Sequence, residues 1–305
     1  METKDCDVLI IGGGPAGLTA GMYAARAGAK VIINENLAAG GQMNLTPDIA
    51  NFPGYSEIAG YDLAEKMREQ AETAGAEIFY CEMQSIDFPS KTVTCLSAII
   101  KYKALIICTG ASPRKLGIDR EEDFIGHGIH FCALCDGNFY KGKDIIVVGG
   151  GNHAVEEAIY MFPIAESITM IVDVEGFSAQ EALVKQVKVR NVHYNSKITK
   201  ILGDKKLSGV EIDVKDWGKT QVTADGIFVA IGRVPNTGIF KDKLELSKQG
   251  YIVVNDKMET SIKGVFAAGD VIMKNVRQII TACSDGAVAA TAAVEYINYL
   301  KKEEK

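Results

Sequence analysis

Two cysteines three positions apart, Cys132 and Cys135, are the residues of this chain best placed to do chemistry. Sulfurs at that spacing close a small disulfide ring with little loop-closure cost. One thiolate can attack a partner disulfide while the other resolves the mixed disulfide. The same spacing also serves zinc, and His127 and His130 precede the pair. Zinc clusters of that composition run in the opposite order, and Asp136-Gly137 follows at once, so a redox pair is the stronger reading and no metal is expected. Asp136 stands next to the pair and is expected to be the acid/base that moves its proton. Its structural alternative is a turn-forming Asp-Gly.

The elements around the pair are organised by two glycine turns. Val8 to Ile11 form a short apolar run that enters Gly12-Gly13-Gly14-Pro15-Ala16-Gly17, and Ile145 to Val148 form another that enters Gly149-Gly150-Gly151-Asn152-His153-Ala154. Helix-like sequence follows each, Leu18 to Ala27 and Val155 to Phe162, and then a second apolar run, Lys30 to Ile33 and Ser167 to Val172. Strand, glycine turn, helix and strand is the pattern of a dinucleotide-binding unit. Gly12 makes the tight turn, Gly14 lets backbone N–H groups approach a pyrophosphate, and Gly17 lets the helix pack on its strand, with Pro15 and Ala16 between them. The helix N-terminus faces the anion with partial positive charge. Glu35, at the end of the next strand, is placed to accept hydrogen bonds from ribose hydroxyls. Thr109-Gly110 ends another buried strand, and Gly269-Asp270 ends a further one, where Asp270 can accept from a polar cofactor chain. Leu63 to Gly75 reads as an amphipathic helix, and Asp285 as the cap of a C-terminal helix from Gly286 to about Leu300. The second nucleotide fold is expected to be inserted into the first: residues 1–114, then 115–242, then 243–305 returning to the first fold.

A chain of 305 residues suits about two domains. With 47% hydrophobic and 24% charged residues it can form a packed core, which excludes a disordered chain and leaves only Lys301 to Lys305 as a frayed tail. A net charge of -6 argues against nucleic acid as partner. The N-terminus lacks the basic start and cleavage site of a signal peptide, and no apolar run approaches the ~18 residues of a membrane span, so a soluble cytoplasmic protein is expected. The cysteines number seven, an odd count that argues against a structural disulfide framework. Cys6, Cys81, Cys95, Cys108 and Cys283 are expected to be small packing residues.

Along nearly its whole length the chain resembles the low-molecular-weight thioredoxin reductases. The residues that carry the resemblance are Gly12 to Gly17, Gly40-Gly41-Gln42, Asn51-Phe52-Pro53-Gly54, Cys132-Ala133-Leu134-Cys135-Asp136-Gly137, Gly269-Asp270 and Arg277-Gln278. The resemblance implies an α/β fold of two Rossmann-like, three-layer ββα nucleotide-binding domains, and a homodimer. It implies FAD, with Gly41, Gln42, Asn51, Arg277, Gln278 and Ile279 around it. It implies that Cys135 lies against the flavin, that Cys132 attacks the disulfide of thioredoxin, and that the inserted domain turns to carry the pair between the two.

One segment departs from the family. NADPH-dependent members carry His-Arg-Arg-x-x-x-Arg after the second strand of the inserted domain, and here the three arginine positions hold Asp173, Val174 and Ser178. A 2′-phosphate is normally clamped by guanidinium forks. Each charge-assisted hydrogen bond contributes roughly 1.5–3 kcal/mol, so losing two or three weakens NADPH by ~10³-fold or more. Asp173 could serve an NADH ribose, whereas His153 replaces the family's small residue beside the pyrophosphate. The pattern resembles the ferredoxin-dependent flavin thioredoxin reductases, which implies electrons passing from reduced ferredoxin to FAD to Cys132–Cys135 to thioredoxin without NADPH. The alternative is an NADH- or NADPH-dependent disulfide reductase of the same type. A flavin-binding redox sensor is a non-enzymatic alternative, and a ferredoxin–NADP reductase of this fold would lack the dithiol.

Overall fold

Strand β1 (Glu2–Ile11) sets the layering of the first fold, because its buried end is apolar on both faces. Side chains alternate across a strand. Val8 and Ile10 therefore enter one core with Leu18, Ala20 and Phe266, while Leu9 and Ile11 enter another with Ile32, Val93, Leu105 and Phe240. The computed structural model describes residues 1–46 and 48–303. From β1 the chain turns through glycine into α1 (Pro15–Arg26) and returns as β2 (Val31–Glu35). Then come α2 (Gly60–Thr73), β3 (Glu77–Tyr80), β4 (Met83–Asp87), β5 (Thr92–Cys95) and β6 (Ala98–Ile107). The sheet order is β3-β2-β1-β6-β5-β4. β1 pairs parallel with β2 and β6, and β6 pairs antiparallel with β5, so the β4–β5–β6 meander extends the same sheet.

The second unit repeats the plan. Its elements are β7 (Ile129–His130), α3 (Ala133–Asp136), β8 (Asp144–Val148), α4 (Asn152–Met161), β9 (Ser167–Ile171) and β10 (Asn191–His193). An antiparallel sheet follows, β11 (Ser196–Gly203), β12 (Leu207–Val214) and β13 (Gly218–Thr223), and then β14 (Gly226–Val229). β7-β14-β8-β9-β10 form a five-stranded parallel sheet. Alternation again splits the core: Ile146 and Val148 on one side, Ile145 and Val147 on the other. The chain ends in the first fold with β15 (Val265–Ala267), parallel to β6, and α5 (Ile279–Glu303). This is an α/β architecture of two Rossmann-like folds, the second inserted into the first.

Three local expectations need correction. The last helix begins at Ile279, so Asp285 lies inside it and caps nothing; Thr281 Oγ1 instead accepts the N–H of Gln278 ahead of the first turn, at 3.1 Å. Lys301 is helical rather than frayed, and Glu304 and Lys305 lie outside the described residues. The units divide as Met1–Ser112 with Val234–Lys305, and Pro113–Arg233, which puts the return crossing before Asp242. The reason is Phe240, fully buried among Leu9, Ile11 and Leu105 in the first core.

Candidate active site

Cys132 and Cys135 are joined as a disulfide with Cα atoms 5.3 Å apart. Both cysteines are half-buried. Cys132 precedes α3, and its carbonyl accepts the N–H groups of Cys135 and Asp136 at 3.2 and 3.0 Å. This single turn is what brings the sulfurs together and puts Asp136 directly after them. The Asp136 side chain is buried, with Oδ2 3.2 Å from His130 Nδ1 and with Oδ1 lacking a hydrogen-bond partner among the described residues. His130 Nε2 lies 2.8 Å from the Tyr140 hydroxyl. Both ring nitrogens of His130 therefore have partners within the protein. On the other side of the pair, Glu157 of α4 accepts the Ala133 N–H at 3.0 Å. Burial raises the Glu157 carboxyl above its usual range, against the opposing influence of His153, the Ala133 N–H and Arg233. Sequence reasoning missed Tyr140 and Glu157, and weighed His130 only as a zinc ligand. The one available signal was a glutamate on the apolar side of a short helix.

The first glycine turn is shaped by contact with the chain behind it. Gly12 has φ +103°, and a Cβ there would sit 2.4 Å from the Cys108 carbonyl oxygen. A Cβ on Gly17 would sit 1.8 Å from the Gly12 carbonyl oxygen, so only glycine lets α1 come this close to β1. Gly14, the residue before α1, has open space on its Cβ side, and Pro15 begins the helix, with Ala16 beside Gly269. Glu35 closes the turn: Oε2 accepts the Gly13 N–H at 2.6 Å, and Oε1 accepts the N–H groups of Asn36 and Leu37 at 2.7 and 3.1 Å. Gly40 N–H donates to the Gly13 carbonyl at 2.7 Å, which brings Gly41 to face Gly14. Gln42 donates to the Ala111 carbonyl. Asn51 donates to Gln278 Oε1 at 3.2 Å across 227 positions of sequence. Thr109 and Gly110 are both tied to Asn236, which the sequence reading did not single out. Arg277 stacks its guanidinium 4.2 Å from the Tyr251 ring centroid, and Ile279 packs beside Met43 and Ile49. Lys274, also missed, is held by Asp285 at 2.7 Å and approaches Asp270 at 3.7 Å.

These residues fit a dinucleotide such as FAD. Buried Asp270 Oδ1, Arg277 Nε and Asn44 Oδ1 lack hydrogen-bond partners among the described residues, and they stand in the same unit as the open side of Gly14. Polar atoms left so in a folded protein call for a polar ligand. All the predicted cofactor residues lie in the first unit, and the redox pair lies in the second. Cys6, Cys81, Cys95 and Cys108 are buried and Cys283 is half-buried, its thiol pointing to the Pro15 carbonyl.

The second glycine turn has a different neighbourhood. Its Gly150 carbonyl accepts the N–H groups of Ser178 and Ala179 at 2.8 and 3.2 Å, and Asn152 accepts the Gln180 N–H. Segment 172–178 thus runs beside the turn with Asp173, Val174 and Glu175 exposed and no arginine in it. His153 pairs with Glu157 on its own helix at 3.5 Å. No helix among the described residues is long and apolar enough to cross a membrane.

Residues 6–286 match the family of pyridine nucleotide-disulphide oxidoreductases. A protein of Clostridium pasteurianum described as a 34.2 kDa protein in a rubredoxin operon is 45% identical, over 97% of this chain and 98% of its own. The thioredoxin reductase of Treponema pallidum is 40% identical, over 99% and 100%. The crystal structure of thioredoxin reductase from Streptococcus pyogenes superposes with a TM-score of 0.88 at 40% identity, covering 97% of this chain and 99% of that one.

Proposed function

The chain belongs to the low-molecular-weight thioredoxin reductase family of FAD-dependent disulfide oxidoreductases, and from that premise we propose that it reduces the disulfide of thioredoxin with electrons from reduced ferredoxin rather than from NADPH. The observation that carries the donor assignment is the segment beside the second glycine turn, where acids and small residues stand in place of guanidinium groups. A 2′-phosphate there would meet Asp173 and Glu175 with no fork to neutralise it. The Clostridium pasteurianum relative is described by its place beside a rubredoxin, an electron carrier, which favours a carrier protein as donor. An NADH-dependent reductase is the second reading, favoured by Asp173 two residues after β9.

The first unit holds FAD through Gly12, Gly14, Pro15, Ala16 and Gly17 at its diphosphate, Glu35 at a ribose, and Asp270 along its polar chain. Gly41, Gln42, Asn51, Thr109, Gly110, Gly269, Arg277, Gln278 and Ile279 complete the site. Bound FAD supplies the chemistry that accepts electrons singly and passes them on as a pair. In the reduced protein Cys132 attacks the partner disulfide, Cys135 displaces the released partner cysteine from the mixed disulfide, and Asp136 takes and returns the proton. The inserted domain turns so that the pair serves both flavin and thioredoxin. The protein works as a cytoplasmic homodimer.

The test is turnover. With ferredoxin kept reduced and thioredoxin as acceptor, new thioredoxin thiols should form at a rate proportional to enzyme, and omission of ferredoxin should abolish them. Thiol formation at full rate with NADPH alone would overturn the assignment.

A further inference from the structure

Behind the redox pair, three elements of the second unit converge on one buried polar group. β7 contributes His130, the turn α3 contributes Asp136, and the 3-10 helix Gly137–Tyr140 contributes Tyr140. The His130 side chain is 5% exposed and that of Asp136 12%. Phe228 of β14 stacks on the imidazole at 5.5 Å between centroids, and Tyr140 meets it edge-on at 5.2 Å. The ring is thus held by the stacked Phe228 and the edge-on Tyr140, and at both nitrogens by polar partners. Burial pushes the Tyr140 phenol up to about 12, so it keeps its proton beside Nε2, 2.8 Å away. On the other side of the ring, Nδ1 lies 3.2 Å from Asp136 Oδ2.

We propose that His130 is the positioning residue of the thiol–disulfide exchange, holding Asp136 by Oδ2 so that Oδ1, which has no hydrogen-bond partner among the described residues, is left to take the proton of the reacting cysteine. The proposal deepens the reading of Cys132–Cys135 as an exchange pair and rests on it. In the step concerned, the Cys132 thiol gives its proton to Asp136 and the thiolate attacks a disulfide sulfur. A sulfur–sulfur bond forms to Cys132, the substrate bond breaks, and the departing thiolate takes the proton. Cys135 then repeats the displacement, so the two cysteines are oxidised and two substrate sulfurs reduced. Other charged groups also face the relay. Glu157 of α4 and Asp136 act on each other, His153 and Arg233 act on Glu157, Asp225 acts on Tyr140, and Lys143 Nζ lies 5.1 Å from the Tyr140 ring centroid. The ion-pair contact of Asp136 is with His130.

The test uses flavin-loaded protein whose Cys132–Cys135 pair has been reduced with dithiothreitol and freed of it. Bis(2-hydroxyethyl) disulfide then reoxidises the pair, and loss of protein thiols is followed from pH 6 to pH 9. Neither thioredoxin nor any electron donor takes part. We expect His130→Phe to slow the reaction about tenfold at pH 6. The deficit should shrink to about twofold at pH 9, where cysteine thiols ionise without help. His130→Asn, whose amide can take the place of Nδ1–H, should recover the pH 6 rate to within about threefold. Should His130→Phe fail to fold, Tyr140→Phe carries the test, with a loss of about threefold at pH 6 that fades by pH 9. An equal loss at both pH values, or no rescue by asparagine, would assign His130 to packing alone and overturn the proposal. A wild-type pair inert toward the disulfide would remove the exchange reading itself, and the proposal with it.

Discussion

With Cys132 proposed to attack and Cys135 to resolve, single substitutions should separate the two tasks. Cys135→Ser should cut turnover at least about 10³-fold yet leave Cys132 able to hold thioredoxin as a stable mixed disulfide, visible on a non-reducing gel. Full turnover by Cys135→Ser would remove the dithiol mechanism. Asp136→Asn should cost about 10²-fold in turnover. The pair and Asp136 were legible in the sequence because they sit within one helical turn, where spacing alone fixes geometry. His130, Tyr140 and Glu157 were not, because their meeting depends on β7 pairing with β14 and on α4 packing over α3. Glu157 also makes a stability prediction. Burial raises its carboxyl in the folded state, so between its unfolded value near 4.5 and that raised value the folded protein binds the extra proton. Its contribution is therefore most favourable below that unfolded value and is lost as pH rises through the raised one. Glu157→Gln, which keeps an acceptor for Ala133, should raise Tm relative to wild type at pH 8 and by much less at pH 4.5, read by thermal melts. A Tm gain at pH 4.5 as large as at pH 8 would contradict this.

The elements set what the cofactor and the donor meet. α1 reaches β1 only through Gly17, so Gly17→Ala should purify with less than about a tenth of the flavin absorbance of wild type, since even a methyl group would strike the Gly12 carbonyl oxygen. Normal flavin content in that variant would show that the turn tolerates a shift. The donor assignment proposed above turns on the segment after β9. Grafting Asp173→Arg, Val174→Arg and Ser178→Arg together should strengthen NADPH binding by about 10³-fold in calorimetric titration. No gain would mean that something other than charge closes the turn. Both glycine turns were legible because strand, turn and helix are contiguous. The start of α5 was not, since Ser284-Asp285-Gly286 looks like a capped start, while in the fold Asp285 is engaged by Lys274 and the Gly269 N–H.

At the scale of the whole molecule, the predicted cofactor residues and the dithiol belong to different units. The insertion was legible from the repeated turn. The return crossing was not, because the burial of Phe240 in the first core depends on long-range packing that no local pattern announces. Phe240→Ala should cost about 3–5 kcal/mol of stability, read by denaturant unfolding of the first unit. Electrons are proposed to enter from reduced ferredoxin, and one anaerobic measurement addresses that directly. The yellow protein is mixed in turn with NADPH, NADH and reduced ferredoxin while flavin absorbance is followed. Bleaching within the turnover time by reduced ferredoxin, with absorbance unchanged by NADPH, is the predicted result. Rapid bleaching by NADPH would contradict it.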